Sequence, residues 1–192
     1  PVVPTAVIFD LGRGGNFANH PDASFGERAC RAATRHQRRR GSIGAGTGAM
    51  AGGLRGGVGM ASCTVTLAAT DATPATTVTV GALCVVNARG SLIDLGSGKP
   101  HLEVPGLRRP SLADRLRLAD YIAQRSLPSL NTTIGVIATD AALSRPEATR
   151  LAMSGHDGLA RAIDPVHTLA DGDTLFAMST RRTDLGDIDR VG

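Results

Sequence analysis

Residues 42–66 form a glycine-rich segment that holds eight of the 24 glycines in the chain. This segment restricts the folds open to the chain more than any other part of the sequence. Glycine has no Cβ atom, so such a segment lets two backbones, or a backbone and a bound molecule, approach closely. The spacing Gly46-x-Gly48-x-x-Ala51 also fits a degenerate dinucleotide-binding loop. Such a loop must open a helix, whereas the residues after this one alternate like a strand, and no Gly-Lys-Ser/Thr follows. The segment therefore favours close packing over nucleotide binding.

The core must be built from aliphatic side chains, because the chain has four Phe, one Tyr and no Trp. Its 192 residues suffice for one domain, and 42% hydrophobic with 20% charged residues is a globular composition. No apolar run reaches the roughly 18 residues that span a bilayer, and no signal peptide is recognisable. We therefore predict a single domain over residues 1–192, located in the cytoplasm and without a membrane partner.

Charge is divided unevenly along the chain. Residues 1–131 carry 15 basic and 8 acidic side chains, whereas residues 132–192 carry 6 and 9, so the first part is +7 and the second −3. The only basic run is Arg38-Arg39-Arg40, and almost no aromatic residue is available to stack on bases. Short charge runs usually form a solvated surface. We therefore predict no nucleic-acid partner.

The cysteines and histidines do not form a metal-binding pattern. Cys30, Cys63 and Cys84 are widely spaced without a Cys-x-x-Cys pair, and the five histidines lack ligand spacing. We therefore predict free thiols in a reducing compartment, with no metal and no cofactor.

Hydrophobic periodicity and capping signals predict strands and helices that come in consecutive groups. Ser144 and Glu147 form a capping box at the start of one helix, and Ser111 with Asp114 resembles one at the start of another. The predicted strands are residues 5–9, 76–87, 132–139 and 173–179, and the predicted helices are residues 24–33, 111–124 and 145–163. This order favours a layered α+β fold over a regular βαβ repeat.

A pair of threonines follows Asn131 at the start of a predicted strand. Taken alone, Thr132 and Thr133 indicate only β propensity. If the bond before Thr132 broke, however, the new α-amino group, with a pKa near 8, could act as general base for the adjacent hydroxyl. Such a nucleophile needs no histidine.

Two carboxylates flank a glycine in Asp171-Gly172-Asp173. They could cap a turn, bind a metal or orient an α-ammonium group. With no other ligand cluster nearby in sequence, local pattern favours the turn.

Taken together, these segments resemble the P1-type peptidases, the group of L-aminopeptidase/D-esterases, β-aminopeptidases and nylon-oligomer hydrolases. The resemblance covers nearly the whole chain in order. It is carried by VVPTAVIFDL (2–11), GSIGAGTGAMAGGLRGGVGMAS (41–62), VGALCVVNARG (80–90), NTTIGVIATDAALS (131–144), HDGLARAIDPVHT (156–168) and DGDTLFA (171–177).

The resemblance implies a four-layer αββα sandwich similar to N-terminal-nucleophile hydrolases, made as a precursor that cuts itself in two. The matching bond is Asn131–Thr132, which would give an α segment of residues 1–131 and a β segment of residues 132–192. Thr132 would be the nucleophile, Asp171 and Asp173 the acidic pair that orients it, and Asn87 a residue that helps hold the oxyanion.

The chain departs from the family pattern in three places. Arg55 stands where nylon-oligomer hydrolases carry a Lys, and with Gly56 and Gly57 it is a candidate for the substrate pocket. We expect the family's N-terminal Gly-Gly-Ser-Ala-Tyr/Phe-Gly-type segment and its C-terminal helix to lie outside this chain, which would leave the domain incomplete at both ends.

The resemblance implies hydrolysis of N-terminal residues from small peptides, amides or ω-amino acid oligomers. The partners would then be a small substrate, the second segment of the same chain and further copies in a homo-oligomer. Two alternatives stay open: a non-catalytic remnant of the fold, and an acyltransferase of the ornithine-acetyltransferase type.

Overall fold

The computed structural model describes residues 4–13, 15–69, 74–124 and 130–186. The helices are α1 (Ala23–Ala32), α2 (Leu112–Ala123) and α3 (Arg145–Ala162), with a 3₁₀ turn at Gly44–Gly46. The strands are β1 (Met50–Ala51), β2 (Leu54–Arg55), β3 (Gly57–Leu67), β4 (Thr76–Val86), β5 (Ile134–Ala141) and β6 (Thr174–Thr183). None of the helices in these ranges is long and apolar enough to cross a membrane.

One mixed sheet of four strands, in the order β3-β4-β5-β6, dominates the described residues. β3, β4 and β5 pair antiparallel, whereas β5 and β6 run parallel and are joined through α3. Such a parallel pair needs a crossover connection, and α3 is that connection. The first residues of β5 and β6 consequently meet at the same edge of the sheet.

Helix α3 begins where the sequence predicts. Ser144 and Glu147 form the capping box, with a proline in the first turn. Gly155 lets the helix approach the sheet, because a Cβ atom there would meet Ile137 Cδ1 and, at 2.8 Å, Leu175 Cδ1. The end of the helix contributes Leu159 to a small buried cluster with Ala51, Ala88 and Ile163. Ala88 of this cluster directly follows Asn87 in sequence. The cluster therefore anchors the end of β4 at which the candidate residues collect.

Two predicted elements differ in the structure. Residues 5–9 form no strand, although their apolar pattern predicts one, because no strand of the described ranges pairs with them; Val7 is 75% exposed. The last strand runs to Thr183, beyond the predicted end at residue 179, because Thr183 pairs with Ala141 after a shift in register.

The glycine-rich segment packs backbone against backbone. A Cβ atom on Gly46 would lie 2.8 Å from Gly57 Cα, and one on Gly56 would collide with the Val86 carbonyl oxygen and lie 3.1 Å from Met50 N. Gly56 N–H also donates to Ala49 O over 2.8 Å. This close approach holds the short strands β1 and β2 against the end of β4.

We therefore expect Gly56→Ala in the full-length protein to lower the free energy of unfolding by about 1–3 kcal/mol, because the new methyl group overlaps fixed backbone. Gly59→Ala is the matched control, since a Cβ atom there has no neighbour within 4 Å among the described residues. It should be neutral or stabilise by up to about 1 kcal/mol. Denaturant unfolding measures both, and equal stability of the two variants would contradict the close packing.

Candidate active site

The candidate site lies where the chain enters β5 and β6. Asn131 and Asp171 pair as neighbours in parallel strands, with Asn131 N–H donating to Ala170 O over 2.9 Å and Gly172 N–H donating to Asn131 O over 2.8 Å. Thr174 N–H continues the ladder by donating to Thr133 O over 2.9 Å. The 39-residue separation between Thr132 and Asp171 is thus spanned by β5, α3 and the loop that follows, which bring the two segments side by side.

Thr132 is held with its hydroxyl beside the preceding peptide bond. Its N–H donates to Asn87 O over 2.7 Å, and its Oγ1 donates to Asn131 O over 2.5 Å. The same carbonyl oxygen accepts Gly172 N–H, so two donors converge on it. A Cβ atom at residue 172 would lie 3.1 Å from Thr132 Oγ1, and glycine therefore leaves this space open. A carbonyl polarised in this way is more electrophilic than an ordinary peptide carbonyl.

Asn87 is completely buried, and its side-chain amide has a defined orientation. Its Oδ1 accepts from Met50 N–H over 3.1 Å and from the Arg13 guanidinium. Its Nδ2 has no hydrogen-bond partner in the described residues. Buried donors in native proteins nearly always have a partner, so an Nδ2–H group without one is an exception that calls for an explanation.

Asp173 binds the residue that follows Thr132, whereas Asp171 binds two loops near it. Asp173 accepts from Thr133 N–H over 2.6 Å, and its side chain is only 4% exposed. Asp171 accepts from Arg89 N–H over 3.0 Å and, through its other oxygen, from Thr168 N–H over 3.1 Å and Thr168 Oγ1 over 2.5 Å. In the uncut chain, Asp171 connects the loop after Asn87 to the loop before β6. Asp173 binds the backbone immediately after Thr132.

A cleft of about 380 Å³ opens beside Thr132. Its walls include Asn131 and Asp171 together with four exposed apolar residues, Val7, Phe9, Leu130 and Leu169. The nucleophile candidate is therefore accessible.

Comparison with known proteins identifies the family. The family model described as Peptidase family S58 matches residues 1–189. The chain belongs to peptidase family S58. An uncharacterized aminopeptidase of Mycobacterium leprae is 45% identical over an alignment that covers 94% of this chain and 49% of that protein. The S58 chain thus spans about half the length of the curated relatives it matches.

Solved structures agree with this assignment. A β-aminopeptidase of Burkholderia sp. is 30% identical, with a TM-score of 0.53 over 82% of this chain and 38% of that one. An L-aminopeptidase D-Ala-esterase/amidase of Ochrobactrum anthropi, described as a new variant of the Ntn hydrolase fold, is 24% identical, with a TM-score of 0.54 over 80% of this chain and 36% of that one. The predicted α+β sandwich of the N-terminal-nucleophile hydrolase fold is thereby confirmed, and the described residues of the S58 chain contribute a four-stranded mixed sheet to it.

The predicted pocket residues Arg55, Gly56 and Gly57 are not part of the lining of the cleft beside Thr132. Arg55 is exposed on β2, which pairs with β1, and Gly56 and Gly57 turn the faces that lack a side chain toward Val86 and Gly41. Their part in a substrate pocket stays a prediction.

Sequence reasoning missed a histidine pair behind Asp173. His167 Nδ1 lies 2.7 Å from Asp173 Oδ2, and His167 Nε2 lies 3.2 Å from His156 Nδ1. His167 adopts a φ of 52°, a left-handed conformation that is uncommon for a residue other than glycine. Neither histidine has ligand spacing, and the available signal was only that both lie in the HDGLARAIDPVHT segment.

We expect His167→Ala to lower the free energy of unfolding by about 1–3 kcal/mol, because the buried Asp173 carboxylate loses a hydrogen-bond partner. His167→Asn should lose less, since Asn tolerates positive φ and retains a donor. The control is His36→Ala, because the His36 side chain is exposed. Denaturant unfolding of the full-length protein measures all three, and equal stability of His167→Ala and His36→Ala would contradict the proposed support of Asp173.

Proposed function

We propose that this chain forms the self-processing part of an aminopeptidase or amidohydrolase that is cut before Thr132 and uses Thr132 as nucleophile. The observation that carries the proposal is the contact between Thr132 Oγ1 and the Asn131 carbonyl oxygen at 2.5 Å, on a carbonyl that also accepts Gly172 N–H. A hydroxyl beside a polarised peptide carbonyl is the arrangement that intramolecular acyl transfer requires.

The cut before Thr132 takes place in two steps, an acyl shift and the hydrolysis of an ester. Thr132 Oγ1 forms a bond to the Asn131 carbonyl carbon and its proton passes to Thr132 N, while the bond from that carbon to Thr132 N breaks. Water then hydrolyses the resulting ester, which leaves a carboxylate on Asn131 and restores the Thr132 hydroxyl. Gly172 N–H holds the charge that develops on the carbonyl oxygen.

Turnover uses the amine that processing releases. With a pKa near 8, the α-amino group of Thr132 takes the hydroxyl proton as Oγ1 attacks the substrate carbonyl, and it then delivers the proton to the leaving amine. Asn87 Nδ2–H stabilises the oxyanion, and its burial without a hydrogen-bond partner in the described ranges supports this role. Water hydrolyses the acyl-enzyme. Asp173 and Asp171 orient the strand ends that carry this machinery.

The substrates we propose are small peptides, amides or ω-amino acid oligomers from which an N-terminal residue is released. The α and β segments remain associated after the cut, because β5 of the second segment pairs with β4 of the first. Their opposite net charges add a weaker attraction.

A pair of adjacent variants tests the nucleophile. Thr132→Ala should remain a single chain on a denaturing gel, because it has no hydroxyl to attack Asn131. Thr133→Ala should still be cut, because the buried Thr133 Oγ1 has no hydrogen-bond partner in the described residues and its removal costs little. Processing of Thr132→Ala, or a cut at another bond, would contradict the assignment. An uncut wild-type chain would favour the non-catalytic remnant, and an acyl group delivered to an amine instead of water would favour the acyltransferase.

Turnover of the mature full-length protein tests Asn87. Asn87→Ala should lower kcat by roughly 10²–10³ and change KM little, because an oxyanion contact acts mainly in the transition state. Steady-state kinetics on a set of amino acid p-nitroanilides measures both constants. A raised KM with unchanged kcat would show that Asn87 contributes to uniform substrate binding instead.

A further inference from the structure

Arg13 lies in the loop before α1, far in sequence from the candidate site residues. Its guanidinium nevertheless contacts Asn87 and the residue before Asn131. One nitrogen, Nη1, donates to Asn87 Oδ1 and lies 3.5 Å from Gly48 O, and the other, Nη2, donates to Leu130 O over 3.2 Å. Arg13 therefore joins the glycine-rich segment, the end of β4 and the residue that precedes Asn131.

The contact with Asn87 decides which end of its amide is free. Asn87 Oδ1 accepts two donors, Met50 N–H and Arg13 Nη1. If the amide were turned over, its NH₂ group would face both donors, which have no acceptor lone pair to offer it. The Arg13 side chain thereby disfavours the reversed orientation and leaves Nδ2–H, which has no partner among the described residues, on the side away from these two donors.

Arg13 is partly buried and lies near the carboxylate of Asp10. Burial lowers the pKa of the guanidinium, and the nearby Asp10 carboxylate opposes that effect. The Asp10 carboxylate in turn accepts Gly48 N–H over 2.9 Å, which anchors the loop that carries Arg13. An arginine remains charged under such conditions, and its planar fork can serve Asn87 and Leu130 together, whereas a lysine offers one compact point of charge.

We propose that Arg13 is a positioning residue that sets the orientation of the Asn87 side-chain amide so that its N–H group serves as the oxyanion donor. This inference rests on the proposed function, since it names what holds one part of that site. Arg13 acts through Asn87 and does not itself touch the reacting atoms.

A double-mutant cycle in the mature full-length protein tests the proposal with amino acid p-nitroanilides. Arg13→Met should lower kcat by up to about 100-fold, because a misplaced donor loses most of its effect, while KM changes little. The double variant Arg13→Met/Asn87→Ala should be no slower than Asn87→Ala alone, because the two residues act as one unit. Arg13→Lys should be intermediate, and added guanidinium ion should restore part of kcat to Arg13→Ala only when Asn87 is present.

Arg31→Met is the control, because Arg31 is an exposed arginine of α1 that pairs with Glu27 on the surface. It should keep the wild-type kcat. The proposal is overturned if Arg13→Met or Arg13→Lys keeps the wild-type kcat, or if the Arg13 and Asn87 losses multiply.

The same cycle read by thermal unfolding does not depend on turnover. If Arg13 and Asn87 are coupled, the double variant should lose less stability than the two single losses combined, and independent losses would overturn the contact. A wild-type protein that is uncut and inactive toward every p-nitroanilide would overturn the proposed function instead, and the unfolding cycle would still decide the Arg13–Asn87 contact. If Arg13→Met fails to fold, Arg13→Lys carries the same comparison.

Discussion

The parallel pairing of Asn131 with Asp171 is the interaction on which the rest of the site depends. Because β5 and β6 run in the same direction, their first residues meet at one edge, and the backbone of Gly172 donates to the carbonyl of Asn131. That single register lets Thr133 N–H reach Asp173 and leaves Thr132 in the lining of the cleft. A slip of one residue would turn every side chain of β5 to the opposite face of the sheet and separate these groups.

The glycine-rich segment packs around Asn87. Its glycines allow β1 and β2 to pack on the end of β4, where Asn87 is enclosed completely and receives Met50 N–H. A buried amide with one unpartnered nitrogen is costly for folding, and a catalytic role is one explanation for such a group. The packing function of the glycines and the catalytic proposal for Asn87 are therefore two consequences of one close approach.

Local sequence signals predicted much of the secondary structure. They could not predict contacts between segments that are distant in sequence. The Ser144 capping box and the apolar pattern of β4 and β5 are short-range features, and the structure confirms them. The strand at residues 5–9 was wrong because pairing depends on a neighbour that local sequence does not specify. The family resemblance named Thr132, Asn87, Asp171 and Asp173, and hydrogen bonds connect the segments that carry them, whereas their catalytic roles stay predictions. Arg13 and His167 were missed because they act on residues whose proximity only the tertiary structure reveals.

The central claim is that the Asn131–Thr132 bond is the one that the chain cuts, so that Thr132 becomes an N-terminal nucleophile. Intact-mass analysis of the purified full-length wild-type protein, combined with N-terminal sequencing, tests it most directly. We expect two chains, of which the second begins Thr-Thr-Ile at residue 132. A single uncut chain, or a second chain that begins at any other residue, would contradict it.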